Sequence, residues 1–238
     1  MVKTKPPGKR LAWLDAFPLP EASDAVDAVV AGWVALAATR KKYFNRTTNE
    51  RDLTDVLAAY LTDVMPNERK LPGQWGSENA KAKVNFATCE IKHRIRTDIT
   101  YLWNDATTKI ALVFEFKKLN SKAPSRRHYF GEKGMCRFVT GYYSVKEPLA
   151  LMVGVLVEDK DSCVLPLQRA LQQDRQAGKL EMCKHDGKYL IIPSEVFSGR
   201  ADFDTEHART RDKAPAHGTI RMSHVFVEFG YPASQDDR

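Results

Sequence analysis

The sequence predicts an α/β protein, with helices packed around a mixed central sheet. Three observations predict it. Two amphipathic helical patterns open the chain, and three segments dense in branched and aromatic residues follow them. Further on, 149–157 (LALMVGVLV) is almost continuously apolar, as a strand buried on both faces must be. At 238 residues, 43% hydrophobic and 28% charged, the chain is long enough and apolar enough for one sizeable core.

Residues 1–22 are Pro-rich and basic and read as a poorly ordered arm. Ser23 is the expected cap of a helix running to Tyr43, with Val26, Val29, Val30, Trp33 and Leu36 on one broad face. A second helix is expected over 48–64, where Leu53, Val56, Leu57, Tyr60 and Leu61 recur at spacings of three and four. Met65-Pro66-Asn67 ends it, and Leu71 to Gly76 reads as a loop. Segments 82–91, 94–103 and 109–117 read as strands, and the polar turn 104–108 makes the last two an antiparallel hairpin. A basic loop leads to a helix near 131–144, the buried strand 149–157, a helix at 163–175, and strands near 188–193 and 219–229.

The net charge of +7 and pI near 9.2 favour a polyanionic partner only modestly. The distribution of charge is more specific. Lys117, Lys118, Lys122, Arg126 and Arg127 occur with no acid among them, and Lys81, Lys83, Lys92, Arg94 and Arg96 with Glu90 alone. These clusters are either phosphate-contacting surfaces, whose affinity falls as salt rises, or two solvated faces. Ala28 to Ala38, the longest apolar stretch, is about half a membrane span, and the N-terminus has no apolar signal core. Cys89, Cys136, Cys163 and Cys183 form no CxxC pair, and Cys183 with His185 lacks a second half, which argues against structural zinc. The expectation is a reduced, cytoplasmic protein that does not engage membranes. No GxxxxGK[ST] loop and no GxSxG elbow is present, which excludes their nucleotide-hydrolysing and acyl-transfer chemistry.

Between the two basic clusters lies the candidate site. Asp98 is followed, after sixteen residues, by Glu115-Phe116-Lys117. Strand residues alternate faces, so Glu115 and Lys117 share a side with Val113, while Phe114 and Phe116 point into a core. If Trp103 lies across from Lys109, Asp98 falls opposite Phe114; if Asn104 does, Asp98 falls opposite Glu115. In the second register the two carboxylates start from Cβ atoms about 5 Å apart. Carboxylates that close repel unless a cation lies between them, and Mg²⁺ takes one or two carboxylates plus waters and phosphate oxygens. Lys117 would then orient or deprotonate a water, or stabilise charge on a phosphate. The competing reading of an E-x-K strand is a solvated edge pair.

Asp98 followed by Glu115-Phe116-Lys117, on two strands after a helix, resembles the PD-(D/E)XK nuclease superfamily. The resemblance covers residues 48–158 and implies a restriction-endonuclease-like αβββαβ core with a mixed central sheet flanked by helices. It sets off an N-terminal arm and helical extension (1–47) from a nuclease-like domain (48–238) whose C-terminal part elaborates the core. It implies Mg²⁺, with Mn²⁺ as a substitute, held by Asp98 and Glu115, and Lys117 in catalysis. Thr97 stands where the name-giving Pro would. Many members add a Glu from the first core helix; Glu50 is the candidate for that metal and catalytic role. Thr47-x-x-Glu50 also fits a capping box, so Glu50 has two readings.

Lys118, Lys122, Arg126, Arg127, Arg96 and Arg137 are the candidate nucleic-acid contacts. Tyr142-Tyr143 reads as packing rather than base stacking. Phe203 to Arg209 reads as a surface loop, with a lid or phosphate clamp through His207 and Arg209 as the sharper reading, and His224 as an edge residue. The resemblance implies a DNA endonuclease serving restriction, antiviral defence, recombination or repair, as a homo-oligomer or beside partner subunits such as an ATPase or sensor. A catalytically inactive nucleic-acid-binding or structural subunit of the same fold is the alternative.

Overall fold

The computed structural model describes residues 12–68, 71–77, 81–85, 90–95, 97–104 and 109–233. Arg96, Cys89 and the turn residues 105–108 lie outside them.

Helix α1 (Ala12–Ala16) is followed directly by α2 (Leu19–Ala37), so the segment expected to be an arm is helical from Ala12 onward. Proline in the first turn of α2, pre-set in φ, displaces the expected start at Ser23. The helix ends six residues before Tyr43, where Phe44 turns inward against Trp33 and Phe229. Helix α3 (Glu50–Asp63) buries Leu53, Leu57 and Leu61, and α4 (Met65–Glu68) closes it. Asn49 caps α3 by accepting from Asp52 N, while Thr47 donates to Asn45 instead. The capping-box reading is thereby corrected, and the Glu50 carboxylate is left to project elsewhere.

Strand β1 (Gln74–Ser77) occupies what the sequence presents as a loop. Trp75 packs on Tyr101 with ring centroids 4.8 Å apart, and Gly73 donates to the Tyr101 hydroxyl. A side chain at Gly73 would lie 2.3 Å from that ring, so the glycine that suggests a turn serves a close approach. Strands β2 (Lys81–Asn85) and β3 (Glu90–Ile95) pair only with each other, as a separate hairpin. The expected strands 82–91 and 94–103 are therefore divided differently, and the main sheet resumes with β4 (Ile99–Asn104) and β5 (Lys109–Leu119).

After β5 come α5 (Ala123–Phe130), α6 (Met135–Val139), the fully buried β6 (Leu149–Leu156), α7 (Lys160–Leu171) and α8 (Asp174–Lys179). Strands β7 (Leu190–Ile191), β8 (Phe203–Ala208) and β9 (Thr219–Glu228) complete the chain. The seven-stranded sheet has the order β1-β4-β5-β6-β9-β8-β7, with β5, β6 and β9 parallel and the other neighbours antiparallel. This is an α/β fold with a mixed sheet between two helical layers. On one face α2 and α3 pack on Phe114, Phe116, Val153 and Val225; on the other, Tyr129, Met135, Phe138 and Leu167 pack on Val113, Met152 and Met222.

Strand β8 corrects the expectation of a surface loop at 203–209. Its polar residues are buried because each finds a partner. Asp204 accepts from Ser194 Oγ, Ser223 Oγ, Glu195 N and Val196 N, and Glu206 pairs with the buried Arg221 at 2.8 Å. His224 is likewise interior, not an edge residue. It continues a chain of hydrogen bonds from the Tyr129 hydroxyl through His224, Thr205 and His207 to the Leu180 carbonyl. That carbonyl can only accept, so Nδ1 of His207 donates and every later proton in the chain has one direction. Burial keeps both rings neutral, holding His207 near 4 and His224 well below its ordinary value. Arg209 is no clamp: its guanidinium donates to the carbonyls of Ser144 and Tyr143.

Gly134 lets α6 follow α5 closely, since a Cβ there would lie 1.9 Å from the Tyr129 carbonyl oxygen. Gly134→Ala is expected to destabilise the protein by about 1–3 kcal/mol, read by urea unfolding; an unchanged midpoint would contradict this packing.

Candidate active site

The β4–β5 hairpin adopts the register in which Asn104 lies across from Lys109 and Ile99 across from Phe114. Continued by one residue beyond the end of β4, the same register sets Asp98 opposite Glu115. Phe114 and Phe116 enter the core under α2 and α3, which leaves Glu115 and Lys117 on the other face of the strand.

Strand β5 outruns its partner. Residues Phe114–Leu119 pair with β6 on one side, but β4 stops at Ile99, opposite Phe114. Among the described residues no strand takes up the other edge beyond that point. Two carboxylates take the edge amides in its place. Asp98 Oδ2 accepts from Phe116 N at 2.9 Å, and Glu50 Oε2 accepts from Lys118 N at 2.7 Å. Glu50 arrives from the first residue of α3, whose preceding loop is tied to the same strand by Lys118. The Lys118 ammonium donates to the carbonyls of Arg46 and Thr48.

Lys117 is the cation of this cluster. Its ammonium lies 2.7 Å from Glu50 Oε1, 3.0 Å from Glu115 Oε1 and 4.0 Å from Asp98 Oδ2, and it donates to the Phe116 carbonyl. The 3.0 Å contact to Glu115 is an ion pair out of hydrogen-bond alignment, and neither oxygen of this buried carboxylate accepts a hydrogen bond among the described residues. Arg137 on α6 approaches the same oxygen at 3.7 Å. Its guanidinium lies over the Tyr142 and Tyr143 rings and donates to the Tyr143 hydroxyl.

Burial dominates the protonation of this group. It pushes Glu115 up to about 8, with Asp98 adding to the rise and Lys117 and Arg137 opposing it. Burial also raises Asp98, against the pull of Lys117. For Lys117 burial acts downward, but Glu115, Glu50 and Asp98 together outweigh it and hold the ammonium charged. The result is a cation fixed among carboxylates, one of which is short of partners.

Among the described residues there is no ready-made group of three or more His, Cys, Asp or Glu arranged around a metal. A cation here would rely on Asp98 and Glu115, because both oxygens of Glu50 are occupied by Lys117 and Lys118. Glu115 Oε2, which accepts no hydrogen bond among the described residues, fits such an ion, and Mg²⁺ ordinarily asks no more than one or two carboxylates.

Of the expected nucleic-acid contacts, Arg137 reaches the site, and Lys118 is half-buried on backbone carbonyls. Lys122 and Arg127 are exposed at the start and in the last turn of α5, and Arg126 donates to the Ser121 carbonyl. Tyr143 is buried packing, as expected, but it also steadies Arg137, and that role had no sequence signal. No described helix is long and apolar enough to cross a membrane. The chain matches no known protein-family model, no curated protein and no solved structure.

The raised Glu115 has a consequence for stability. It binds a proton more tightly folded than unfolded, so its contribution is full below its ordinary value of 4.5 and is lost as pH rises through about 8. Glu115→Gln, which cannot ionise, is expected to remove that downward slope and to exceed the metal-free wild type in stability at pH 8.5. Urea unfolding at pH 5, 7 and 8.5 reads this; an identical slope in both proteins would contradict it.

Proposed function

We propose that this chain is a metal-dependent nuclease of the PD-(D/E)XK kind. The observation that carries the reading is the register: Asp98, one residue before β4, falls in line with Glu115 on β5, and the Lys117 ammonium lies 4.0 and 3.0 Å from the two acids. The element order supports it as well. Helix α3, the antiparallel β1, β4 and β5, the helices α5 and α6, and the parallel β6 correspond to an αβββαβ core into which the β2–β3 hairpin is inserted.

Asp98 and Glu115 would hold the divalent cation, Mg²⁺ with Mn²⁺ as its substitute. When bound, that ion supplies charge withdrawal from a phosphate and a more acidic water. The remaining tasks fall to side chains already in position. Lys117, held as an ammonium by the acids around it, can donate to a phosphate oxygen as negative charge develops there. Glu50 holds that ammonium in place and shapes its surroundings. Arg137, steadied by Tyr143, presents a second cation beside Glu115. The +7 charge and the exposed Lys122 and Arg127 after β5 suit a phosphodiester substrate, with DNA as the preferred reading. An effector in restriction or antiviral defence, assembled with partner subunits or with itself, is the biological setting we favour.

A plasmid-nicking assay with Mg²⁺ or Mn²⁺ tests this. Asp98→Ala and Lys117→Ala are each expected to reduce cleavage by about 100-fold or more, and Glu50→Gln by about 10- to 100-fold through loss of Lys117 positioning. Cleavage by both alanine variants at the wild-type rate would sink the assignment.

A further inference from the structure

The turn that delivers Glu50 to the site also carries Tyr43, whose 71% exposure is the highest of any large apolar side chain among the described residues. An exposed tyrosine alone means little, but this one stands on a rigid mount. Phe44, next in sequence, is buried between Trp33 and Phe229. Asn45, also buried, accepts from Thr47 N and Thr48 N and donates to the carbonyls of Lys41 and Lys42. Arg46 donates to the Pro232 and Tyr231 carbonyls, and Lys118, beside catalytic candidate Lys117, donates to those of Arg46 and Thr48. Both ends of the turn are anchored, and its tip is held out to solvent.

The surroundings of the ring define a ligand. The Lys42 ammonium covers one face at 4.9 Å, which leaves the opposite face for a planar group. A concave surface runs from Lys42 and Tyr43 past Thr47 and Asn49 to Asp52 and Asp55. Its charge is divided. Lys42 is the cation of its near wall, whereas the far wall carries the two aspartates. A nucleotide strand fits that division: phosphates toward the lysine side, a base on the tyrosine, and the amino edge of a base toward the carboxylates, which accept from it and repel phosphate.

Resting on the nuclease reading of the neighbouring centre, we propose that Tyr43 is a stacking platform for an unpaired base of the nucleic acid whose backbone is cut at Asp98, Glu115 and Lys117. Stacking requires an exposed π-face, so the ligand is a single-stranded segment, a frayed end or a flap, rather than an intact duplex.

The test is fluorescence anisotropy with a labelled 12-nucleotide single strand, as DNA and as RNA, and with a blunt duplex, in Ca²⁺ to restrain cleavage. Tyr43→Ala is expected to weaken single-strand binding by about 5- to 100-fold, the worth of one stacked base, and Tyr43→Phe to stay within about twofold of wild type. Blunt-duplex binding should be unaffected by either. Because the ring is exposed, both variants should unfold at the wild-type midpoint. Equal single-strand affinity of Tyr43→Ala and wild type, an equal loss in Tyr43→Phe, or no single-strand binding by wild type would each overturn the proposal. Tyr43-dependent binding without metal-dependent cleavage would overturn only the reading of the centre as a nuclease.

Discussion

The candidate site depends on one geometric mismatch: β5 continues past the end of β4. A strand that outruns its partner exposes backbone N–H groups, and one left buried without an acceptor costs about 1–3 kcal/mol. Here the amides of Phe116 and Lys118 are accepted by the carboxylates of Asp98 and Glu50. The same requirement that completes the sheet edge therefore brings two acids, from two different elements, to the strand that carries Glu115 and Lys117. Sheet satisfaction and site assembly are a single set of contacts.

The electrostatic character of the cluster follows from that assembly. Glu115, Glu50 and Asp98 converge on one ammonium in a poorly solvated setting, which keeps Lys117 charged and makes Glu115 slower to give up its proton than an ordinary carboxyl. Such an arrangement is a weak source of stability, because the desolvation of buried charges offsets much of their mutual attraction. The cation site proposed above would account for such an arrangement better than a structural ion-pair network does. Arg137 strengthens that view. Tyr143 and the close α5–α6 junction at Gly134 hold a second positive group within 3.7 Å of Glu115, where charge on a bound phosphate would need it.

The central hairpin was legible because its information is local. Alternation separates Phe114 and Phe116 from Glu115 and Lys117, and a short polar turn limits the register to two choices, of which the structure adopts the one that opposes Asp98 and Glu115. The continuously apolar 149–157 identifies β6 for the same reason. What the sequence concealed depends on distant partners. Pro72-Gly73-Gln74-Trp75-Gly76 has turn composition, yet Trp75 becomes a strand residue by packing on Tyr101, 26 positions away. FDTEHA looks solvated, yet β8 is buried because Ser194, Arg221, Ser223 and His224 answer its polar groups. Glu50 was visible as a candidate, but its choice between cap and site was decided by Asn49 taking the cap.

The central claim is that Asp98 and Glu115 together form a divalent-cation site. Mn²⁺ binding followed by electron paramagnetic resonance tests it without requiring substrate, activator or partner. The wild-type chain should bind one Mn²⁺ in competition with Mg²⁺, and Asp98→Asn or Glu115→Gln should each weaken that binding by about tenfold or more. Retention of the same stoichiometry and affinity in both variants would contradict it.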